Sequence, residues 1–286
     1  MALHFYLKQI VFTMDGTSSQ TMVLIGGSSC LFSYLFYSLY QSKKLEIEKI
    51  KEIPKYQPNE ELLRRVKASP QRRLAYAAVE GSVQPDGNPL ASQYIPRCFA
   101  VVQKVQVEET WEVWNQRSGT WYRRKMNSKE SNNMVPFHLE CPGAFTSKMA
   151  VKVQSPLEAV GPYLEQVHYR IKYAKDGLVD FVLNELVGEK PFCIEEKEEI
   201  LRVGTTLTGF GEVVLQQGNV LILQPPTNGQ PYLLFPTNYQ GYLQSHQDTA
   251  TMWKVFTAVC GIAGATLIFW ALYREYQKYQ RKRGRN

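Results

Sequence analysis

Residues 255–273 read VFTAVCGIAGATLIFWALY, a run of nineteen positions without a charged side chain. Lys254 precedes the run and Arg274 follows it. At about 1.5 Å of rise per helical residue, this length crosses a hydrocarbon core of about 30 Å. Trp253 and Tyr273 lie at the two ends, where aromatic rings favour the membrane–water interface. The sequence therefore predicts a transmembrane helix over residues 254–273.

A second apolar run covers residues 22–40 and reads MVLIGGSSCLFSYLFYSLY. A cleaved signal peptide would have a basic segment before the run, a shorter apolar stretch and small residues at the cleavage site. Lys8 is the only basic residue upstream, and bulky Phe and Tyr side chains occupy the end of the run. The pattern favours a retained transmembrane helix over residues 21–42, while a signal sequence and a buried core helix stay open as alternatives.

Two spans make the lipid bilayer the first predicted partner and divide the chain into five parts. These are an N-terminal segment 1–20, a span 21–42, a central domain 43–253, a span 254–273 and a basic tail 274–286. The net charge of +7 lies mainly in the tail, which carries six basic residues and one acidic residue. A nucleic-acid-binding protein would need a basic face on its folded domain, so this class is disfavoured. The tail also predicts cytosolic termini, because basic segments beside spans stay in the cytosol.

The fold class predicted for the chain is α+β, with a β-rich domain between two transmembrane helices. The first helix should continue until Pro54 stops it, and a short helix should follow Asn59 as its N-cap. Strands are expected at residues 76–83, 99–107, 149–153, 212–215 and 220–223, with a tight turn at Gly218-Asn219 between the last two. Apolar spacing also predicts a helix over residues 178–186.

No catalytic, cofactor-binding or metal-ligating residue is predicted. Two of the five cysteines, Cys30 and Cys260, lie in the spans, and the other three form no C-x-x-C pair. The four histidines are not in metal-ligand spacing with Cys or acidic residues. The glycines of VGTTLTGFGE (Gly204, Gly209 and Gly211) match no phosphate loop and are interpreted as bulges or tight bends. The acidic run EEKEE at residues 195–199 is interpreted as a solvated face.

The segment WEVWNQRSGTWYRR at residues 111–124 combines aromatic and basic side chains, and Lys125 extends it. Such a mixture could stack on nucleic-acid bases or lie at lipid headgroups. The favoured interpretation is a twisted hairpin that turns near Ser118-Gly119 and is stabilised by cross-strand aromatic pairs. In the second span, Gly261 and Ala265 form a small-xxx-small pair that could bring two helices close together, so self-association through these residues is a hypothesis.

Four segments of the central domain form a recognisable series: YAAVEGSV at 76–83, the stretch 111–121 with VWN at 113–115, VPFHL at 135–139, and EEILRVGTTLTGFGEVVLQQGNVLILQPP at 198–226, followed by Trp253-Lys254. Together they resemble the mitochondrial E3 ubiquitin ligase family, also called mitochondria-anchored protein ligase. The resemblance covers nearly the whole chain after about Met14. It implies that two spans cross the mitochondrial outer membrane, with both termini in the cytosol. It also implies that the central domain, a beside-a-membrane or GIDE-type domain, lies in the intermembrane space.

The resemblance further implies a cytosolic C-terminal RING that binds two zinc ions. That RING would recruit a ubiquitin-conjugating enzyme and assist transfer of ubiquitin or SUMO to substrate proteins, with effects on mitochondrial organisation. A RING needs eight Cys or His ligands, and no Cys or His follows Tyr273. The sequence therefore predicts that this chain holds no zinc and carries only the membrane anchor and the central domain. It is expected to be a fragment of a ligase, with a RING-less membrane-anchored scaffold or a dominant-negative partner of the full-length ligase as the alternative. Met14 is a candidate alternative start.

Overall fold

The computed structural model describes residues 18–141, 149–174 and 188–284. Three α-helices and twelve strands are formed in these residues. The helices are α1 (Ser19–Glu52), α2 (Glu60–Ala68) and α3 (Tyr239–Arg283). The strands are β1 (Lys55–Tyr56), β2 (Arg73–Pro85), β3 (Leu90–Ala91), β4 (Phe99–Asn115), β5 (Thr120–Met134), β6 (Phe137–Glu140), β7 (Ala150–Val153), β8 (Glu165–Tyr173), β9 (Glu189–Arg202), β10 (Thr206–Leu215), β11 (Leu221–Gln224) and β12 (Leu233–Phe235).

The chain forms two compact units, one of residues Met1–Glu52 with Leu243–Asn286 and one of residues Ile53–Tyr242. The first unit contains α1 and most of α3, and both helices are long and apolar enough to cross a membrane. Only 11% of the most apolar window of each helix is buried, which excludes a buried core helix. The signal-sequence alternative for α1 is not tested by this finding.

Small residues bring α1 and α3 into contact within the first unit. A Cβ atom added to Gly264 would lie 2.9 Å from the carbonyl oxygen of Gly26, so neither backbone leaves room for a side chain. Ser29 Oγ donates a hydrogen bond to the carbonyl of Cys260 at 2.8 Å, and a second serine one turn later repeats this contact with α3. Such bonds satisfy hydroxyl groups that would otherwise lie unpaired in hydrocarbon.

The second unit is built around a closed ring of strands. The order β2–β6–β7–β11–β10 returns to β2, because β10 pairs with both β11 and β2. Strands β1 and β12 extend this sheet. Its interior is filled by fully buried aliphatic side chains, among them Val79, Leu139, Val151, Leu207 and Leu223. Burying each Val or Leu stabilises the fold by about 1.5–3 kcal/mol, so this barrel is the hydrophobic core of the domain.

Helix α2 packs onto the core through Leu62 and Val66, both fully buried. Its start is fixed as predicted, because Asn59 Oδ1 accepts a hydrogen bond from the backbone N–H of Leu62 at 3.0 Å. The five predicted strands are confirmed, although β2, β4 and β10 extend beyond the predicted ranges. The predicted turn is also confirmed, since Gly218 and Asn219 both have positive φ. The helix predicted at residues 178–186 lies outside the described residues.

The second sheet has the order β3–β4–β9–β8, with β5 paired along the free side of β4. Val101, Val102 and Leu201 join its near end to the barrel core. Beyond Val105, no described residue of β4, β5 or β8 is buried. We call this part of the four strands the β arm; it comprises residues 106–115, 120–130, 169–173 and 189–197, among which Cys193 on β9 is the one buried residue. It has no second layer of structure among the described residues.

Candidate functional site

The far end of the β arm carries the aromatic and basic segment that the sequence singled out. Trp114 and Trp121 lie directly opposite each other on β4 and β5, with their ring centroids 5.4 Å apart. Asn115 Oδ1 accepts hydrogen bonds from two backbone N–H groups of the turn, and Gly119 supplies the positive φ of 62° that closes it. The interpretation as a twisted hairpin with cross-strand aromatic pairs is therefore confirmed.

Strands β8 and β9 add side chains to this end that the sequence analysis did not include. The Arg123 guanidinium lies 3.9 Å from the ring centroid of Phe192, and Lys190 Nζ lies 4.9 Å from that of Trp121. Tyr173 meets Phe192 edge to face at 5.6 Å. Cation–π contacts of this kind hold a basic side chain against an aromatic surface while its charge stays accessible. Lys190 follows Trp121 by some seventy positions, so no local pattern could have joined them.

We define the arm end as residues 110–125, Tyr173 and residues 189–192. It contains five basic residues and two acidic ones, a net charge of +3. Glu112 accepts a hydrogen bond from Arg123 Nε and forms an ion pair with Lys190 Nζ, both at 3.4 Å, and its side chain is only 19% exposed. The Arg123 side chain is 63% exposed. Glu112 is therefore largely covered, whereas Arg123 presents its charge to solvent.

One member of the acidic run was wrongly interpreted. Glu198 is not on a solvated face but fully buried, because β9 lies between β4 and β8 and places it inside the sheet. Its carboxylate accepts hydrogen bonds from Ser92 Oγ at 2.6 Å, the Gln93 backbone N–H at 2.9 Å and Gln103 Nε2 at 2.6 Å. Burial raises the pKa of Glu198, but these hydrogen bonds outweigh it and lower the pKa overall. The hydrogen bonds that it accepts from Ser92 and Gln93 tie the segment after β3 to the sheet.

His138 on β6 forms a second polar cluster that the sequence did not reveal. Its Nδ1 lies 2.5 Å from Asp86 Oδ1 and its Nε2 lies 2.9 Å from Glu140 Oε1. Lys152 also contacts Asp86, at 3.0 Å. Burial lowers the pKa of His138, but the two carboxylates outweigh it and raise the pKa overall. Because both ring nitrogens are engaged by carboxylates, the cluster stabilises an imidazolium.

The glycines of VGTTLTGFGE and the small residues of α3 lie in different structural environments. Gly204 lies in the turn before β10 with φ of 83°, and the pairing of β10 with β2 shifts register just after Gly211, as predicted for a turn and a bulge. Gly209 instead lies inside the strand, where an added Cβ would collide with Leu223 and crowd a second leucine. In α3, Gly261 faces Ser33 of α1, whereas Ala265 is exposed.

Within the described residues, no group of three or more His, Cys, Asp or Glu side chains is placed to hold a metal ion. All five cysteines lie in this part of the chain and all are free thiols. The ligands of a zinc-binding RING are therefore not found in the described part. The prediction that the chain has no catalytic or cofactor-binding residue stays a prediction.

Comparisons with known proteins find a family model and several curated relatives. The family model GIDE, described as an E3 ubiquitin ligase, matches residues 106–269, from the start of the β arm into α3. A mitochondrial ubiquitin ligase activator of NFKB 1-A from Danio rerio is 36% identical over 88% of this chain and 73% of its own length. The mitochondrial ubiquitin ligase activator of NFKB 1 from Homo sapiens is 31% identical over 93% of this chain and 75% of its own length. No solved structure matches the chain.

Proposed function

Because the chain belongs to the mitochondrial E3 ubiquitin ligase family that shares the GIDE domain, we propose that it acts in protein ubiquitination at the mitochondrial outer membrane. The observation that carries this proposal is the family match, which includes the β arm, the barrel strands β10 to β12 and much of the second apolar helix. Relatives named as mitochondrial ubiquitin ligases, and the two apolar helices, support a mitochondrial membrane protein.

In the proposed topology, residues 21–42 and 254–273 cross the outer membrane and the central domain 43–253 lies in the intermembrane space. The segment 1–20 and the tail 274–286 then face the cytosol. The basic tail supports this orientation, because basic segments next to a span favour the cytosolic side. The β-rich domain, formed entirely between the two apolar helices, is consistent with it.

Protease treatment of intact mitochondria tests this topology. A tag after residue 286 should be digested at once, whereas a tag inserted at Gly87, in an exposed turn after β2, should be digested only after rupture of the outer membrane. Digestion of the Gly87 tag on intact organelles would reverse the orientation. Protection of both tags until the inner membrane is opened would place both segments behind the inner membrane and would contradict the outer-membrane topology.

The partners implied by the family are a ubiquitin-conjugating enzyme and substrate proteins, with ubiquitin or SUMO as the transferred protein. Transfer would also influence mitochondrial organisation. A RING binds zinc to recruit the conjugating enzyme, and the described residues do not fit that metal. We therefore assign to this chain the membrane anchor and the intermembrane-space domain of such a ligase. The alternative is a RING-less membrane-anchored scaffold or a dominant-negative partner of the full-length ligase.

The size of the native product separates these two alternatives. If the chain is part of a longer ligase, an antibody against residues 198–226 should detect one mitochondrial band well above 32.9 kDa. The purified protein of that size should ubiquitinate itself. A band at 32.9 kDa that forms no conjugates but precipitates with a longer ligase would favour the scaffold. A band absent from mitochondria would contradict both.

We also propose that two copies of the chain associate through α3, and the structure shows which residue is the better probe of this contact. Gly261 faces α1 of the same chain, so a bulky residue there would disturb the helix pair itself. Ala265 is exposed and is the better probe. Ala265→Ile should reduce co-precipitation of two differently tagged copies, whereas Ala263→Ile, at another exposed position of α3, should not. Equal co-precipitation by both variants would remove Ala265 from the interface.

A further inference from the structure

The end of the β arm presents a surface that the proposed ligase function does not explain. Trp114 is 39% exposed, Tyr122 is 46% exposed and Tyr173 is 63% exposed, on a part of the sheet that contributes nothing to the barrel core. Folded domains rarely leave aromatic side chains grouped in this way without a partner. The aromatic pair Trp114–Trp121 stabilises the hairpin, but exposure of its rings is not needed for that.

Basic side chains lie on both faces of the hairpin that carries these rings: Arg123 and Lys190 are on the face of Trp114, and Arg124 is on the face of Tyr122. Arg117 lies in the turn, and Arg124 is exposed on β5 without an ion pair among the described residues. Lys190 and Arg123 lie over aromatic rings, as described above. The acidic Glu112 that contacts both is mostly covered, and Glu189 is the other acidic residue of the arm end, so the charge that a partner would meet is predominantly positive.

We propose that the arm end docks on an anionic membrane surface. Indole and phenol rings favour the level of the lipid headgroups, and basic side chains next to them are attracted to anionic lipid. Both requirements are met within one hairpin turn and the adjacent ends of β8 and β9. The net charge of +3 is complementary to such a surface. The docking would add a peripheral contact to the two membrane spans and does not depend on ubiquitin transfer.

The test uses the full chain in nanodiscs of neutral phosphatidylcholine, mixed with separate vesicles that contain about one third phosphatidylserine. Neutral nanodiscs leave the arm end free to bind the added vesicles. The basic residues at the end of α3 would also attract them, so all variants carry Arg281→Ser, Lys282→Ser and Arg283→Ser. Binding is measured by co-flotation. Each basic residue near an anionic surface strengthens binding about fivefold.

The double variant Arg117→Gln, Arg124→Gln should therefore bind the vesicles about 25-fold more weakly. Its matched control is Arg64→Gln, Lys67→Gln, two exposed positions on α2 with the same loss of charge, which should bind as the parent does. An equal loss in both variants would mean general electrostatic attraction and would overturn the proposal. Unchanged binding by the arm variant would overturn it as well.

Fluorescence shows whether the rings reach the lipid. Vesicles that contain brominated phosphatidylcholine should quench part of the tryptophan emission, and Trp114→Phe should lose most of this quenching while retaining the native circular dichroism spectrum. If Tyr122→Ser and Trp114→Phe leave both quenching and flotation unchanged, the arm end does not enter the headgroup region. If an acidic peptide binds the parent chain and the arm variant loses only this binding, the surface is a protein-docking site and the lipid proposal fails.

Discussion

Replacement of Glu198 by Gln tests the most unexpected placement in the domain. The carboxylate is fully buried and accepts hydrogen bonds from Ser92, Gln93 and Gln103 at 2.6–2.9 Å. The amide oxygen can keep the contacts with the Gln93 backbone N–H and Gln103 Nε2. The amide NH₂ group then faces Ser92 Oγ, so the Ser92 hydroxyl loses its acceptor. A hydrogen bond to a charged group contributes about 1.5–3 kcal/mol, and an unsatisfied buried donor costs about 1–3 kcal/mol.

Relief from burying a charge offsets part of this loss, so we expect Glu198→Gln to lower the free energy of unfolding by about 2–3 kcal/mol. For a domain of this size the unfolding temperature should fall by about 4–12 °C. Unfolding is followed by tryptophan fluorescence in detergent, because three of the five tryptophans lie on β4 and β5.

Glu195→Gln is the matched control, since it makes the same change three residues earlier on β9 at a partly exposed side chain. It should stay within about 0.5 kcal/mol of the wild type. The pKa of Glu198 is lowered by its hydrogen bonds, so its contribution is present above the unfolded pKa of about 4.3 and is lost as the pH falls through the folded pKa. Equal effects of the two substitutions at pH 7 would refute the buried network.

Three further predictions concern other parts of the domain. His138→Gln should destabilise the folded domain by about 1 kcal/mol at pH 6 and by less at pH 8. The pKa of His138 is raised in the folded state, so its contacts stabilise the fold below the unfolded pKa of about 6.5, and this stabilisation is lost as the pH rises through the folded pKa. A difference in urea unfolding that does not depend on pH would argue against the carboxylate contacts. Asn59→Ala should cost about 1 kcal/mol by loss of the α2 cap, and Asn59→Asp, which keeps an acceptor, should not. Gly211→Ala should cost about 1–3 kcal/mol, because its Cβ would lie 2.7 Å from the Gln224 carbonyl oxygen. Gly87→Ala, with nothing within 4 Å, is the control in the same thermal assay.

Much of the architecture could be predicted from local patterns. The apolar runs gave both long helices, Asn59 gave the start of α2, and Gly218-Asn219 gave the hairpin of β10 and β11, because each of these signals acts within one turn or one element. The hairpin at residues 111–124 was predictable for the same reason. The acidic run shows the limit. The charges of this run predicted solvent exposure for all its members. Side chains alternate between the two faces of β9, however, and Glu198 lies on the same face as the buried Ile200.

The arm end shows the same limit in the candidate site. Trp114 and Trp121 were predictable as a pair, but Lys190 reaches Trp121, and Phe192 reaches Arg123, only because β9 pairs with the other side of β4. Likewise His138 meets Asp86 through the pairing of β6 with β2. These contacts depend on strand order, and no short stretch of sequence carries it.

The sequence by itself determined that this protein has two apolar helices with a β-rich domain between them. The length of an apolar run and the residues of a turn are properties of contiguous sequence, so their effect on local structure does not depend on distant segments of the chain. Only the tertiary structure decided that the barrel closes through β10 and β2, that one glutamate of an acidic run is buried, and that four strands extend beyond the core as an arm. These features arise when distant segments compete to bury apolar surface and satisfy their backbone hydrogen bonds together.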